Sequence, residues 1–366
     1  MERIALHRRL ARPTRVVKGL SAIGVSARAS AHLPLWVAVL IAGTACVQRE
    51  SSVVVHEGPR SIVSGRIVVQ WTKVIGEEDT LFALPSKLAT DGRVVAVLDP
   101  VANRVIGLER ETGKVVWRYG STGSGPGEFR GPSEILARKG GGFIVFDPAN
   151  ARITDLDDAG MRLRERAAVG VSAIRSACLL RDGGLLAFEL ALDHPIVHLD
   201  STFRSVKRIP LPWTIDLGTN GEARQPEQNG NVSEIIRQSQ GVLTPTPDGG
   251  GCIFGRQTAD GLAYIQGDSV RWRRDYVASP PVESLKVATS AAISILARGD
   301  TVFVPFHGTG RRRGRLIDLY RSSDGEYLAS LETPGGMSWV DLDSSGFVVL
   351  QSTSTGSKIS AWTLRR

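Results

Sequence analysis

One pattern repeats six times along the chain: a polar turn that closes on glycine, then a run of apolar residues. It reads Thr90-Asp-Gly-Arg-Val-Val-Ala-Val-Leu, Arg138-Lys-Gly-Gly-Gly-Phe-Ile-Val-Phe, Arg181-Asp-Gly-Gly-Leu-Leu-Ala-Phe, Pro247-Asp-Gly-Gly-Gly-Cys-Ile-Phe, Ala297-Arg-Gly-Asp-Thr-Val-Phe-Val and Asp343-Ser-Ser-Gly-Phe-Val-Val-Leu. A glycine in a tight turn supplies the positive φ that lets one strand reverse into the next. Gly92, Gly140, Gly183, Gly249, Gly299 and Gly346 stand 48, 43, 66, 50 and 47 residues apart. Each apolar run is followed by a polar turn and a third strand, such as Arg104-Val-Ile-Gly-Leu, and then by a fourth, such as Lys114-Val-Val-Trp-Arg-Tyr. Units of four strands at this period are the blades of a β-propeller.

The expected fold is therefore all-β, a single six-bladed β-propeller over 60–366. The one long interval carries an insertion at about 213–241, in which 233–240 reads as a short helix. The last unit, from Gly346 to Arg366, has room for only two strands beyond its tip. The alternating segment Arg60–Val74 is expected to supply the missing outer strand and close the ring, which removes exposed sheet edges. Composition agrees: with 40 glycines in 366 residues, the chain is too rich in glycine for a helical bundle. It also holds no run of eighteen apolar residues able to span a bilayer.

The net charge of +8 invites nucleic acid as a partner, but its location argues otherwise. Residues 1–45 hold seven basic residues and one acidic, so +6 of the +8 lies there and the remainder is almost neutral. No nucleic-acid partner is expected. A basic n-region (1–32) followed by the apolar stretch 33–45 reads as a signal peptide, its thirteen residues too short for a membrane span. Gly43-Thr-Ala-Cys46 resembles a bacterial lipobox, with glycine where the motif usually has leucine. That resemblance implies lipid attachment at Cys46, a tether over 46–59 and an address in the cell envelope. Val47, where aspartate would hold a lipoprotein at the inner membrane, points to the outer membrane, facing periplasm or exterior; plain secretion is the alternative.

The second unit carries more than spacing. Gly125-Pro-Gly-Glu-Phe129, Pro132, a strand ending in Asp147, then Asn150, Arg152 and Ile153 resemble the signature of NHL-repeat propellers. The first unit keeps Asp99 and Arg104 but shifts its asparagine to Asn103, and the other four keep only the strand pattern. These residues are expected to be scaffold: Asp147 and Arg152 fixing a turn by an ion pair or hydrogen bonds, Phe129 packing between blades. Glu111-Thr-Gly-Lys-Val-Val-Trp117 resembles the turn of eight-bladed quinoprotein and barrel-assembly propellers, but it occurs clearly once.

No nucleophile elbow, phosphate loop, zinc-protease or calcium-loop motif is present. His194, His198 and Asp200 share a strand face, yet strand geometry separates the two histidines by roughly 13 Å, too far for one ion. Cys178 and Cys252 align to different strands of adjacent blades, which favours two buried thiols over a disulfide. Arg311-Arg-Arg-Gly-Arg315 reads as a solvated turn. A ligand is expected on the loops that enter the inner strands, where Lys87, Glu134, Arg175, Trp213, His307 and Trp339 are the candidate binding residues. The three charges at 87, 134 and 175 are expected to be dispensable for folding.

The expected function is an exported, lipid-anchored, monomeric binding or scaffolding propeller that recognises a protein, peptide or glycan, with no catalytic residues and no cofactor. Two alternatives are a propeller lyase or hydrolase holding a divalent metal at the channel, and an outer-membrane assembly scaffold.

Overall fold

The computed structural model describes residues 54–57, 60–75, 81–167, 174–189, 194–211, 240–278, 291–308 and 313–365. They lie in one unit, Ser51–Arg366. The expected signal peptide over 1–45, Cys46 and residues 212–239, which hold Trp213 and all but the last residue of the expected helix, fall outside the described residues. Six sheets, five of four strands and one of six, form the blades. All six glycines read from the repeat have positive φ, from 59° at Gly299 to 140° at Gly346. At Gly92, Gly140 and Gly299 a Cβ would meet nothing, so backbone conformation and not crowding requires glycine there.

The blades follow chain order. Their inner strands are Lys87–Thr90, Glu134–Ala137, Ile174–Leu179, Gly241–Pro245, Leu296–Arg298 and Trp339–Asp343. The second strands are continuous apolar runs such as Val94–Asp99, buried throughout because another sheet covers each face. The outer strands alternate, as Val115–Tyr119 does between half-buried and exposed residues.

The core lies between blades. Leu98 and Val105 of blade 1 pack with Phe143 and Val145 of blade 2, and Phe129 fills the space between them at 1% exposure. Equivalent clusters join every other neighbouring pair, ending with Val348 and Leu350 of blade 6 against Leu88 and Val95 of blade 1. Each fully buried aliphatic or aromatic side chain contributes about 1.5–3 kcal/mol.

Closure follows the expectation with one refinement. Ile67–Ile75 is the outer strand of blade 6, antiparallel to Gly356–Leu364. The residues before it turn away at Gly65. Arg60–Val63 instead runs parallel to Tyr327–Glu332 on the edge of blade 5, and Val54–Glu57, expected as tether, pairs with it. These four-residue strands are too short to show a period in sequence.

The signature residues act as scaffold. Asp147 accepts from the Arg130 and Gly131 amides, at 2.9 and 3.0 Å, and from Asn150. Arg152 donates to the carbonyls of Gly125 and Ser124, both at 2.7 Å. The two do not pair with each other. They hold the incoming interblade segment from opposite sides, one by its amides and one by its carbonyls. Asp99 repeats the role in blade 1, accepting from Ala83, Leu84 and Ala102.

The cysteines differ from the expectation: Cys178 and Cys252 form a disulfide, with Cα atoms 6.3 Å apart. Inner and second strands occupy different positions within a blade, but across the interface between two blades their side chains share one core. Cys178 at the end of the blade 3 inner strand and Cys252 at the start of the blade 4 second strand lie in one interblade cluster with Leu186, Phe188, Leu243 and Phe254, which brings the two sulfurs together.

Candidate functional site

The six inner strands line one channel of about 230 Å³. Strands that all start at one end bring their first residues together there, although they are far apart in sequence. Lys87 of blade 1 donates to Glu134 of blade 2 at 2.8 Å and to the Arg175 carbonyl of blade 3 at 2.7 Å. Its ammonium also lies 4.9 Å from the ring centre of Trp339 in blade 6. Trp339 donates its indole N–H to Leu88 at 3.1 Å. Four of the candidate binding residues thus converge on one mouth, from four blades.

Their states differ. Glu134 is buried, and that burial raises its pKa above the ordinary carboxylate value against the opposing pull of Lys87 and of hydrogen bonds from Ile135 and Ser176. Lys87 is mostly enclosed. The pair therefore braces blades, and because breaking a buried ion pair leaves a charge uncompensated, removing either partner is now expected to cost stability. The Arg175 side chain is exposed and remains the accessible charge of this group.

His307 follows the second strand of blade 5 and does not line the channel. Arg313 donates to its Nε2 at 3.2 Å. Burial, and then the Arg313 charge, lower its pKa, so the imidazole is neutral at pH 7. His198 meets Asp268 at 3.3 Å rather than His194 or Asp200. Arg315 reaches the Thr333 and Pro334 carbonyls, while Arg311 and Arg312 fall outside the described residues.

One residue went unread in the sequence. Asp341, two positions after Trp339 on the same strand face, points into the channel. Its carboxylate accepts from the Thr90 amide at 2.7 Å and from Leu342 at 2.8 Å. Burial, with the charges of Asp343 and Glu134 adding, pushes its pKa up to about 6. Strand alternation from Trp339 would have located it. The channel also holds Ser294, whose buried hydroxyl has no partner among the described residues. Among those residues no group of three or more His, Cys, Asp or Glu is placed to hold a metal ion.

No family model matches the sequence, and neither does any curated protein. Solved structures do match. A protein of Bacteroides fragilis described as exported is 12% identical, with a TM-score of 0.52 over 83% of this chain and all of that one. Virginiamycin B lyase from Staphylococcus aureus is 15% identical, with a TM-score of 0.44 over 77% of this chain and 79% of that one. The likeness is one of fold.

Proposed function

We propose that the protein is an exported binding propeller of the NHL-repeat type, anchored through a lipid on Cys46 in the bacterial envelope, which recognises a protein, peptide or glycan at the channel mouth. The convergence of Lys87, Glu134, Trp339 and Arg175 carries this reading. Lys87 and Glu134 form a rigid, internally neutralised platform, and Arg175 stands exposed beside it for an acidic or hydroxyl-rich partner. The channel below holds only about 230 Å³, so a polymer's contact falls on the rim. The disulfide supports export, because such bonds persist in oxidising compartments. It also leaves Cys46 as the one cysteine outside that bond, the residue a lipid would occupy.

The test is a peptide and glycan array probed with wild type and with Arg175→Glu, an exposed substitution that leaves folding intact. Ligands lost by the variant and kept by an Arg118→Glu control support the reading. Identical profiles for all three proteins would sink it.

A second reading, a lyase or hydrolase working at the channel, is favoured by one observation. A carboxyl with a pKa of about 6 beside a second raised carboxyl is suited to general acid–base chemistry near neutral pH. Turnover of a candidate substrate that is lost in Asp341→Asn, with binding retained, would select this reading over the first.

A further inference from the structure

At the opposite end of the blades, where the inner strands of blades 2, 3 and 4 finish, lies a second cavity of about 590 Å³. Its walls are the turns after Ala137, Leu179 and Pro245, with the outer strand of blade 2 on one side. It shares Ala137, Leu179 and Pro245 with the channel lining, while Lys87, Glu134, Arg175 and Trp339 take no part in it.

Its charge is lopsided. Arg138, Lys139, Arg164, Arg166 and Arg181 line it against the carboxylates of Asp155 and Asp248, an excess of three positive charges. Asp155 is buried and already shared by Arg164 and Arg166, the latter at 2.8 and 2.9 Å. Asp248 accepts from its own turn, at the Thr246 hydroxyl and the Gly250 amide. Arg181 spends its Nε on the Asp248 carbonyl at 2.8 Å. Arg138 and Lys139 have no acidic partner among the described residues.

Arg166 is held in place by structure. Its guanidinium lies 3.8 Å from the ring centre of Phe203, and its buried Nε has no hydrogen-bond partner among the described residues. Burial is the main cause of its lowered pKa; Asp155 opposes, while the charges of Arg164 and Arg138 add to the lowering. Cations brought this close repel one another unless an anion joins them. The cavity is also larger than a bare oxyanion needs, and Leu180, Pro245 and Pro247 give it an apolar side.

We infer that this cavity binds a small organic dianion with the chemistry of a phosphate monoester, its oxyanion between Arg138, Lys139 and Arg166 and its apolar body against Pro245 and Pro247. Arginine forks match phosphate oxygens in pairs. A monocarboxylate would leave two of the three excess charges uncompensated, which favours the dianion.

Calorimetric titration of the purified protein at pH 8 and low salt tests this, with phenyl phosphate, inorganic phosphate and benzoate as probes. Phenyl phosphate should bind tightest, about tenfold or more ahead of benzoate and ahead of inorganic phosphate. Arg138→Gln with Lys139→Gln should weaken phenyl phosphate by about tenfold or more, since each removes a charge-assisted bond. Arg118→Gln, the loss of one cation on the outer strand of blade 1, should leave it unchanged. Equal weakening by Arg118→Gln, or no weakening in the double variant, overturns the proposal. So does binding confined to vesicles containing phosphatidate and not displaced by phenyl phosphate, which would make the surface a membrane-docking patch.

Discussion

The Arg60 guanidinium and the Asp318 carboxylate meet at 2.8 Å although 258 positions separate them in the chain. A second bond, from Arg60 Nε at 3.0 Å, makes the pair two-pronged. Ser330 donates to the same carboxylate at 2.6 Å, and the guanidinium lies 4.4 Å from the ring centre of Phe306. The strand Arg60–Val63 is thereby fastened to the middle of blade 5, next to the blade where the ring closes.

Because Asp318 is fully buried, Arg60→Ala would leave its charge uncompensated. The variant should lose about 3–5 kcal/mol at pH 7. Asp318→Asn in the same background should recover part of that loss. Urea denaturation of the three proteins checks both statements, and a loss below about 1 kcal/mol in Arg60→Ala would show Arg60–Val63 to be held by strand pairing alone.

Lys87→Met should be destabilising in the same way, by about 3–5 kcal/mol at neutral pH, since it strands the buried carboxylate of Glu134. The loss should shrink on acidification, when that carboxyl takes up a proton. Lys87→Met combined with Glu134→Gln should approach wild-type stability. A double-mutant cycle by chemical denaturation measures the coupling.

Asp341 makes a pH prediction whose sign is the reverse of the common carboxylate case. Its folded-state pKa, about 6, stands above the ordinary 3.8. The folded state therefore holds this proton more tightly, and the stabilisation is complete below about pH 4 and lost as pH rises through about 6. Relative to Asp341→Asn, the wild type should lose up to about 3 kcal/mol between pH 4 and pH 7. Parallel thermal melts across that range check it; a constant difference between the two proteins would refute it.

The disulfide closes a loop of 74 residues that runs through the insertion. Replacing both Cys178 and Cys252 by serine should cost about 2–4 kcal/mol, largely by freeing the unfolded chain, and more if the buried hydroxyls find no partners. Wild type melted with dithiothreitol should move toward the variant, while the variant should not respond.

Much of this protein was legible from its residues because its fold is periodic. Glycine at the six tips, continuous apolar second strands and alternating outer strands are local properties, and together they specified four strands per blade, six blades and a closing strand within Arg60–Val74; only Ile67–Ile75 closes the ring. Lys87, Glu134, Arg175 and Trp339 were read from the same repeat as residues on loops entering the inner strands; the structure puts Lys87, Glu134 and Trp339 first in those strands and Arg175 second. What the sequence could not show depends on how one blade packs against the next. That packing joins Cys178 to Cys252, buries Lys87 with Glu134 instead of presenting them, encloses Asp341 so that its proton is held, and gathers Arg138, Arg166 and Arg181 around one cavity. Repeat spacing records distance along a blade, whereas burial and charge pairing depend on distances between blades, and only the packed ring sets those.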